Sequence, residues 1–222
     1  QRSSFGGMHL LSFFEDLLNK RNDENYAALK RKGRLHLVAA LEAAVRSQCF
    51  VSGDFAAEMK KNGFKFDGHR WIPTPSSGGM FRSAKEHRSG DFSWSLGIER
   101  FMVPEALLNP SVLLESTTVT AVPIDELCQK AVNGCPDELR AELLSCVVLC
   151  GGWSKCPGMA DRLKRTLSIA FPTYAVSIRE VVSESSAVDG GRLVANRVDE
   201  FKHHVVTAQE FFDGVRPSTR AI

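Results

Sequence analysis

Apolar residues recur along this chain at two spacings, and each switch between the spacings marks a new element. Leu10, Leu11, Phe13, Phe14, Leu17 and Leu18 fall at helical intervals behind Phe5-Gly6-Gly7-Met8, so the first element is an amphipathic helix. A polar stretch, 19–25, separates it from a second helical segment over about 26–51. That segment breaks at Gly33 and buries a stripe of Leu37, Leu41, Ala44, Val45 and Gln48. His36, on the same segment, reads as a solvated or core histidine rather than a ligand.

The character changes between Lys60 and Phe92, where glycines and prolines alternate with lysines, arginines and histidines. Phe64-Lys65-Phe66 and Arg70-Trp71-Ile72 alternate around Asp67-Gly68, the pattern of a hairpin. Residues 74–88 predict a surface loop. Phe92-Ser93-Trp94-Ser95-Leu96 alternates as a strand, and Pro104 to Pro110 bound a short helix or turn. Pro123 opens a helix carrying Ile124, Leu127, Cys128 and Ala131. Pro136-Asp137-Glu138 opens the next, with proline and acids where a helix N-terminus favours them and Leu139, Leu143 and Leu144 as its apolar face.

The rest of the chain is organised around 146–158. A short apolar run, Cys146 to Leu149, predicts a buried strand that stops at Gly151-Gly152. After Pro157-Gly158 a helix over 159–168 begins, with Met159, Leu163 and Leu167 inward. A strand feeding a helix through glycines leaves backbone N–H groups free, which suits a phosphate or a ribose. The same pattern also makes a plain tight turn, and it is neither a GxGxxG nor a GxxxxGK[ST] sequence. Tyr174 to Val182 predicts a further strand with Val176 and Ile178 inward. Gly190-Gly191 then opens a last helix with Leu193, Val194, Val198 and Phe201. Strands alternating with helices, and two glycine pairs each heading a helix, argue for an α/β architecture.

Composition narrows the function classes. The chain has 222 residues, 43% of them hydrophobic, enough to bury a real core. A formal net charge of +2 gives no support to a nucleic-acid-binding role. The basic and aromatic residues of 60–92 read as a solvated loop. No apolar run approaches the roughly 20 residues that span a bilayer. The opening at Gln1 lacks an apolar signal segment and suggests a fragment with something upstream. Cys49, Cys128, Cys135, Cys146, Cys150 and Cys156 form no CxxC pair and no Cys/His metal spacing, so reduced thiols in a cytosolic or nuclear protein are expected. Cys146 and Cys150 are read as small hydrophobes of the buried strand. No catalytic constellation and no metal ligands emerge: the histidines are scattered and GxSxG is missing.

Two stretches resemble a known family. Glu99-Arg100-Phe101-Met102-Val103-Pro104-Glu105-Ala106-Leu107-Leu108-Asn109-Pro110-Ser111 is similar to the actin signature ERF-x-x-PE-x-LF-x-P. Val148 to Arg162, with Gly151-Gly152, Pro157-Gly158 and Ala160-Asp161-Arg162, resembles the actin nucleotide turn and the helix after it. Phe5-Gly6-Gly7 through Leu18 resembles the helix that opens the actin subdomain carrying part of the adenine site, and 54–59 and 190–210 follow in family order. The resemblance implies an actin-like fold of the ribonuclease H-like, Hsp70-type ATPase class, α/β, of which the chain holds the C-terminal half with an inserted outer subdomain. It divides the chain into helical outer subdomain (1–62), insertion or loop (63–92), inner α/β subdomain with the glycine turn (93–189), and a C-terminal helix and tail returning to the other half (190–222).

In that family, ATP or ADP lies between two halves. The phosphate hairpins, metal-associated aspartates and water-positioning glutamine belong to the half not seen here, so the chain alone is no complete ATPase. On the resemblance, the nucleotide-facing positions are Gly151, Gly152, Trp153, Lys155, Arg46 and Glu184. Trp153 stands where the family has a small threonine, Cys156 where it has a tyrosine, Val45 and Arg46 where it has a Lys-Glu pair, and Glu184 where it has a lysine. An indole fills space, and like charges about 4 Å apart repel by about 4 kcal/mol at an effective dielectric near 20, so a degenerate site is expected. The implied function is a divergent actin-related protein serving as a structural or interaction subunit of a cytoskeletal or chromatin-type assembly. The alternative is an actin-like ATP-binding protein that polymerises or switches once joined to its upstream half. Expected partners are protein subunits (actin, actin-related proteins or complex scaffolds) and the upstream half, with neither membrane nor nucleic acid, in the cytoplasm or cytoskeleton or in the nucleus. Trp71, Phe81 and Trp94 are candidate partner anchors.

Overall fold

The computed structural model describes residues 3, 5–21, 23–68, 70–74, 84–113, 121–180, 186–197, 209, 212 and 213. The chain forms two compact units, residues 1–180 and 181–222.

The first unit opens with α1 (Gly7–Asn19), which buries the six apolar residues the periodicity marks. Asp23 caps α2 (Glu24–Arg31) by accepting from the backbone N–H groups of Asn25 and Tyr26, at 2.9 and 3.1 Å. Gly33, at φ +107°, takes the conformation that ends α2 and starts α3 (Arg34–Gln48), so the expected break is real. Leu37, Leu41, Ala44 and Val45 are buried on α3 as expected, and His36 is exposed. Asp54 caps α4 (Phe55–Lys61) through the N–H of Ala57.

Two antiparallel hairpins follow. β1 (Phe64–Phe66) pairs with β2 (Trp71–Pro73), and β3 (Lys85–Ser89) pairs with β4 (Phe92–Leu96) through a turn at Gly90. The second hairpin corrects one expectation, because 85–88 is strand rather than loop. His87 and Trp94 face each other across it, both buried, and β-pairing of that couple outweighs the polar composition. Trp94 is only 2% exposed and packs against Tyr26 and His87, so it is a core residue and no partner anchor. Phe81 lies outside the described residues.

α5 (Glu99–Glu105) is buried along most of its length. Its first acid ties the unit together. Glu99 accepts from the N–H of Gly97 at 2.6 Å and from Arg21 at 3.0 Å, and Arg21, beyond the end of α1, also donates to the Ser95 carbonyl at 2.6 Å. The two side chains are 0% and 2% exposed.

α6 (Ile124–Asn133) and α7 (Asp137–Ser145) lead into β5 (Val147–Leu149), which runs parallel to β6 (Ile178–Glu180); α8 (Met159–Ala170) connects them. Here three expectations are corrected. Leu139 and Leu143, four residues apart on one face of α7, are exposed, while Leu144, about 100° further round, turns inward. Cys146, Val148 and Cys150 are exposed, Val148 at 52%, and only Leu149 of the strand is buried. Side chains alternate across a strand, and in this two-stranded sheet only one face of β5 meets the core. Of the strand expected over 174–182, residues 174–177 are not strand, Ile178–Glu180 is, and 181–182 lie outside the described residues; Ile178 is half-buried and Val176 buried just before it.

In the second unit, α9 spans Ser186–Asn196. Gly190-Gly191 sits inside this helix instead of heading it. Glycine costs about 1 kcal/mol against alanine in a helix interior, and neighbouring residues can carry that cost. Val198 and Phe201 lie outside the described residues.

Candidate functional site

The turn after β5 is built from backbone rules. Leu149 anchors the strand, and Gly151, at φ +90° and ψ 171°, reverses the chain in a conformation that only glycine adopts freely. Gly152–Lys155 forms one 3-10 turn. Ser154 closes it, donating its hydroxyl and its N–H to the Gly151 carbonyl at 2.7 and 3.1 Å. Gly151 and Gly152 are exposed, and among the described residues no other atoms lie within 4 Å of where a Cβ would stand, so the surface over them is open.

The far end of the turn is clamped. Gly158 has φ +85°, and the Cβ it lacks would lie 2.4 Å from the carbonyl oxygen of Val51. Val51 in turn donates its N–H to the Pro157 carbonyl at 2.7 Å. Arg162, one turn into α8, donates to the Ser52 carbonyl at 2.9 Å. The glycine turn is thereby fastened to the chain leaving α3. Burial pushes up the thiol pKa of Cys156 at this junction, and that of Cys49 beside it.

Trp153 sets the shape of the site. Its half-buried indole reaches the first residue of α1, where a Cβ on Gly7 would stand 3.3 Å from the indole Nε1. The ring therefore spans from the glycine turn to the start of α1. Gly151, Gly152, Trp153 and Lys155 are thus gathered in one turn, with Lys155 half-buried. Arg46 lies on α3 in an ion pair with Glu42, 3.9 Å away and one helical turn back. Glu184 lies outside the described residues. No group of three His, Cys, Asp or Glu suited to a metal ion occurs among the described residues. No helix among them is long and apolar enough to cross a membrane.

Sequence reasoning missed a second polar constellation. Glu105, at the end of α5, is 1% exposed; its Oε1 accepts from Arg162 at 3.4 Å, while its Oε2 has no hydrogen-bond partner among the described residues. Burial pushes its carboxyl up to about 7, against the pull of Arg162 and Arg165. The signal was present: two acids, Glu99 and Glu105, bracket an apolar run, and buried acids demand distant cations.

Comparison with known proteins accounts for these features together. The actin family profile matches residues 41–215. An actin-like protein of Caenorhabditis elegans is 32% identical over 140 residues, 59% of this chain and 32% of that protein. The SWI/SNF and RSC complexes subunit arp42 of Schizosaccharomyces pombe is 30% identical over 124 residues, 52% of this chain and 29% of its own length. Actin-related protein 3 of Drosophila melanogaster is 24% identical over 210 residues, covering 94% of this chain and 44% of the fly protein. The chain thus spans less than half the length of each of these relatives. With Glu99–Glu105 of the motif buried in the core and the glycine turn leading from β5 into α8, this match makes the chain a member of the actin family, with the actin-like fold.

Proposed function

We propose that this chain is the C-terminal half of a divergent actin-related protein that serves as a structural or interaction subunit, with a degenerate nucleotide site. The observation that carries the reading is the indole of Trp153 lying against Gly7. The resemblance counts Trp153 among the nucleotide-facing positions and makes Gly7 the start of the helix that opens the subdomain carrying part of the adenine site. An adenine ring is about as large as an indole, so the two cannot occupy the gap together. The residues present therefore do not fit the nucleotide that the family generally binds. Gly151 and Gly152 retain open backbone above the turn, while Arg46 is engaged by Glu42 and Glu184 is acidic where the family has a lysine.

On this reading the outer subdomain comprises 1–62, the insertion 63–92, the inner subdomain 93–189, and the segment returning to the other half 190–222. The partners are protein subunits of a cytoskeletal or chromatin-type assembly, in cytoplasm or nucleus, together with the upstream half. The chromatin side draws support from the likeness to a subunit of the SWI/SNF and RSC complexes. A second reading, an ATP-binding protein that polymerises or switches, is favoured by the open space over Gly151-Gly152. Calorimetric titration of the full-length protein with Mg-ATP separates the two. No binding at micromolar nucleotide is expected, and a micromolar Kd would favour the second reading.

A further inference from the structure

Away from the glycine turn, the β1–β2 hairpin, the start of α4, the end of α1, the end of α5 and the middle of α8 enclose an open cleft of about 1270 Å³. Its floor holds Glu105, whose buried Oε2 lacks a hydrogen-bond partner among the described residues. A buried carboxyl oxygen left unpaired costs about 1–3 kcal/mol, and a donor arriving from outside would recover that cost. One wall is aromatic. Trp71 is held edge-on by Phe55 at 6.0 Å between ring centres, and Phe66 lies tilted beside it at 5.4 Å with 54% of its surface exposed. The rim is cationic. Lys20, Arg70 and Arg165 line it together with Asp16 and Asp54; Arg70 pairs with Asp67 at 3.8 Å, Arg165 donates to the Gly53 carbonyl, and Asp54 already spends Oδ1 capping α4.

These three features constrain the occupant. It must offer a hydrogen-bond donor to Glu105, an apolar group to Phe66 and Trp71, and negative charge to Lys20 and Arg165. A phosphate ion has no apolar part, and a basic segment would meet three cations at the rim. A polypeptide supplies amide N–H donors as well as side chains. We propose that this cleft binds an extended segment of a partner protein in which acidic residues flank an aromatic or large apolar one. The inference rests on the interaction-subunit reading and names the partner chemistry that goes with it. The anchors come from the hairpin at 64–73, between α4 and β3.

Fluorescence anisotropy on the full-length protein tests the proposal, using a fluorescein-labelled dodecapeptide of Glu-Glu-Phe-Gly repeats and its Lys-Lys-Phe-Gly counterpart. The acidic peptide is expected to bind at least tenfold tighter than the basic one. Arg165→Glu and Phe66→Ala, both at exposed side chains and both checked for an unchanged melting curve, should each weaken it at least tenfold. Equal affinity for the two peptides, no loss in either variant, or full displacement by millimolar inorganic phosphate would overturn the proposal. Repeating the titration with Mg-ATP keeps the two readings apart. Peptide binding that responds to ATP contradicts the degenerate nucleotide site and leaves the cleft standing; failed peptide binding with silent ATP removes the cleft alone.

Discussion

The two stretches that resemble actin behave differently in the fold. Glu99–Glu105 is out of solvent at nearly every position, and both of its acids meet an arginine brought from a distant part of the chain. The glycine turn is clamped unevenly: Gly158 leaves no room for a Cβ against the Val51 carbonyl, while Gly151 and Gly152 face open space. The contrast shows which residues a divergent family member can change. A residue whose partner is buried cannot drift without leaving an uncompensated charge or a clash, so the core motif keeps its identities. Residues over an open turn answer only to whatever binds there, and a tryptophan can stand in such a place.

The sharpest way to break this contrast is to remove Arg21. Arg21→Ala leaves Glu99 buried at 0% exposure without its cation. A loss of about 3–5 kcal/mol is expected, read as a lower urea midpoint at unchanged slope. A loss below about 1 kcal/mol would put the motif on the same footing as the turn.

The two ends of the turn can be set against each other with one substitution. Gly151→Ala and Gly158→Ala both force alanine into a positive-φ conformation, costing about 1–2 kcal/mol. Gly158→Ala must also displace the Val51 carbonyl, which lies 2.4 Å from the new Cβ, so it should cost clearly more in the same unfolding assay. Equal losses would show that the clamped and open ends do not differ.

The smallest effect belongs to His87. It is buried against Trp94 with Ser47 Oγ 3.3 Å from Nδ1, and burial lowers its pKa from the ordinary value. The unfolded chain then binds the proton first, at a pKa of about 6.5. Stability contributed by neutral His87 is therefore present above that pH and lost as pH falls below it. Comparing melting temperatures across this window for the wild type and His87→Gln should give a shallower slope in the variant; identical slopes would remove His87 from the account.

Local patterns of the sequence carried well into the structure where one element decides its own fate. The α1 stripe, the break at Gly33 and the β1–β2 hairpin follow from spacing and turn chemistry within a few residues. What could not be read depended on distant neighbours. The strand at 85–89 exists because His87 finds Trp94 and a place beneath α3, and nothing in Lys85-Glu86-His87-Arg88 announces that. Val148 looked like core because apolar runs are usually covered on both faces, but coverage is a property of the sheet. In the site, Gly151 and Gly152 were legible as a turn. The reach of Trp153 to Gly7 and the pairing of Glu105 with Arg162 join residues far apart in sequence, and no local spacing encodes them.

The central claim is that the Trp153 indole occupies the space a nucleotide base would need. Its most direct test is a paired calorimetric titration of full-length wild type and Trp153→Thr with Mg-ATP. The account predicts no binding by the wild type in the micromolar range and at least a tenfold gain in affinity when the indole is removed, a change of about 1.4 kcal/mol or more. A wild-type Kd in the micromolar range, unchanged by the substitution, would contradict it.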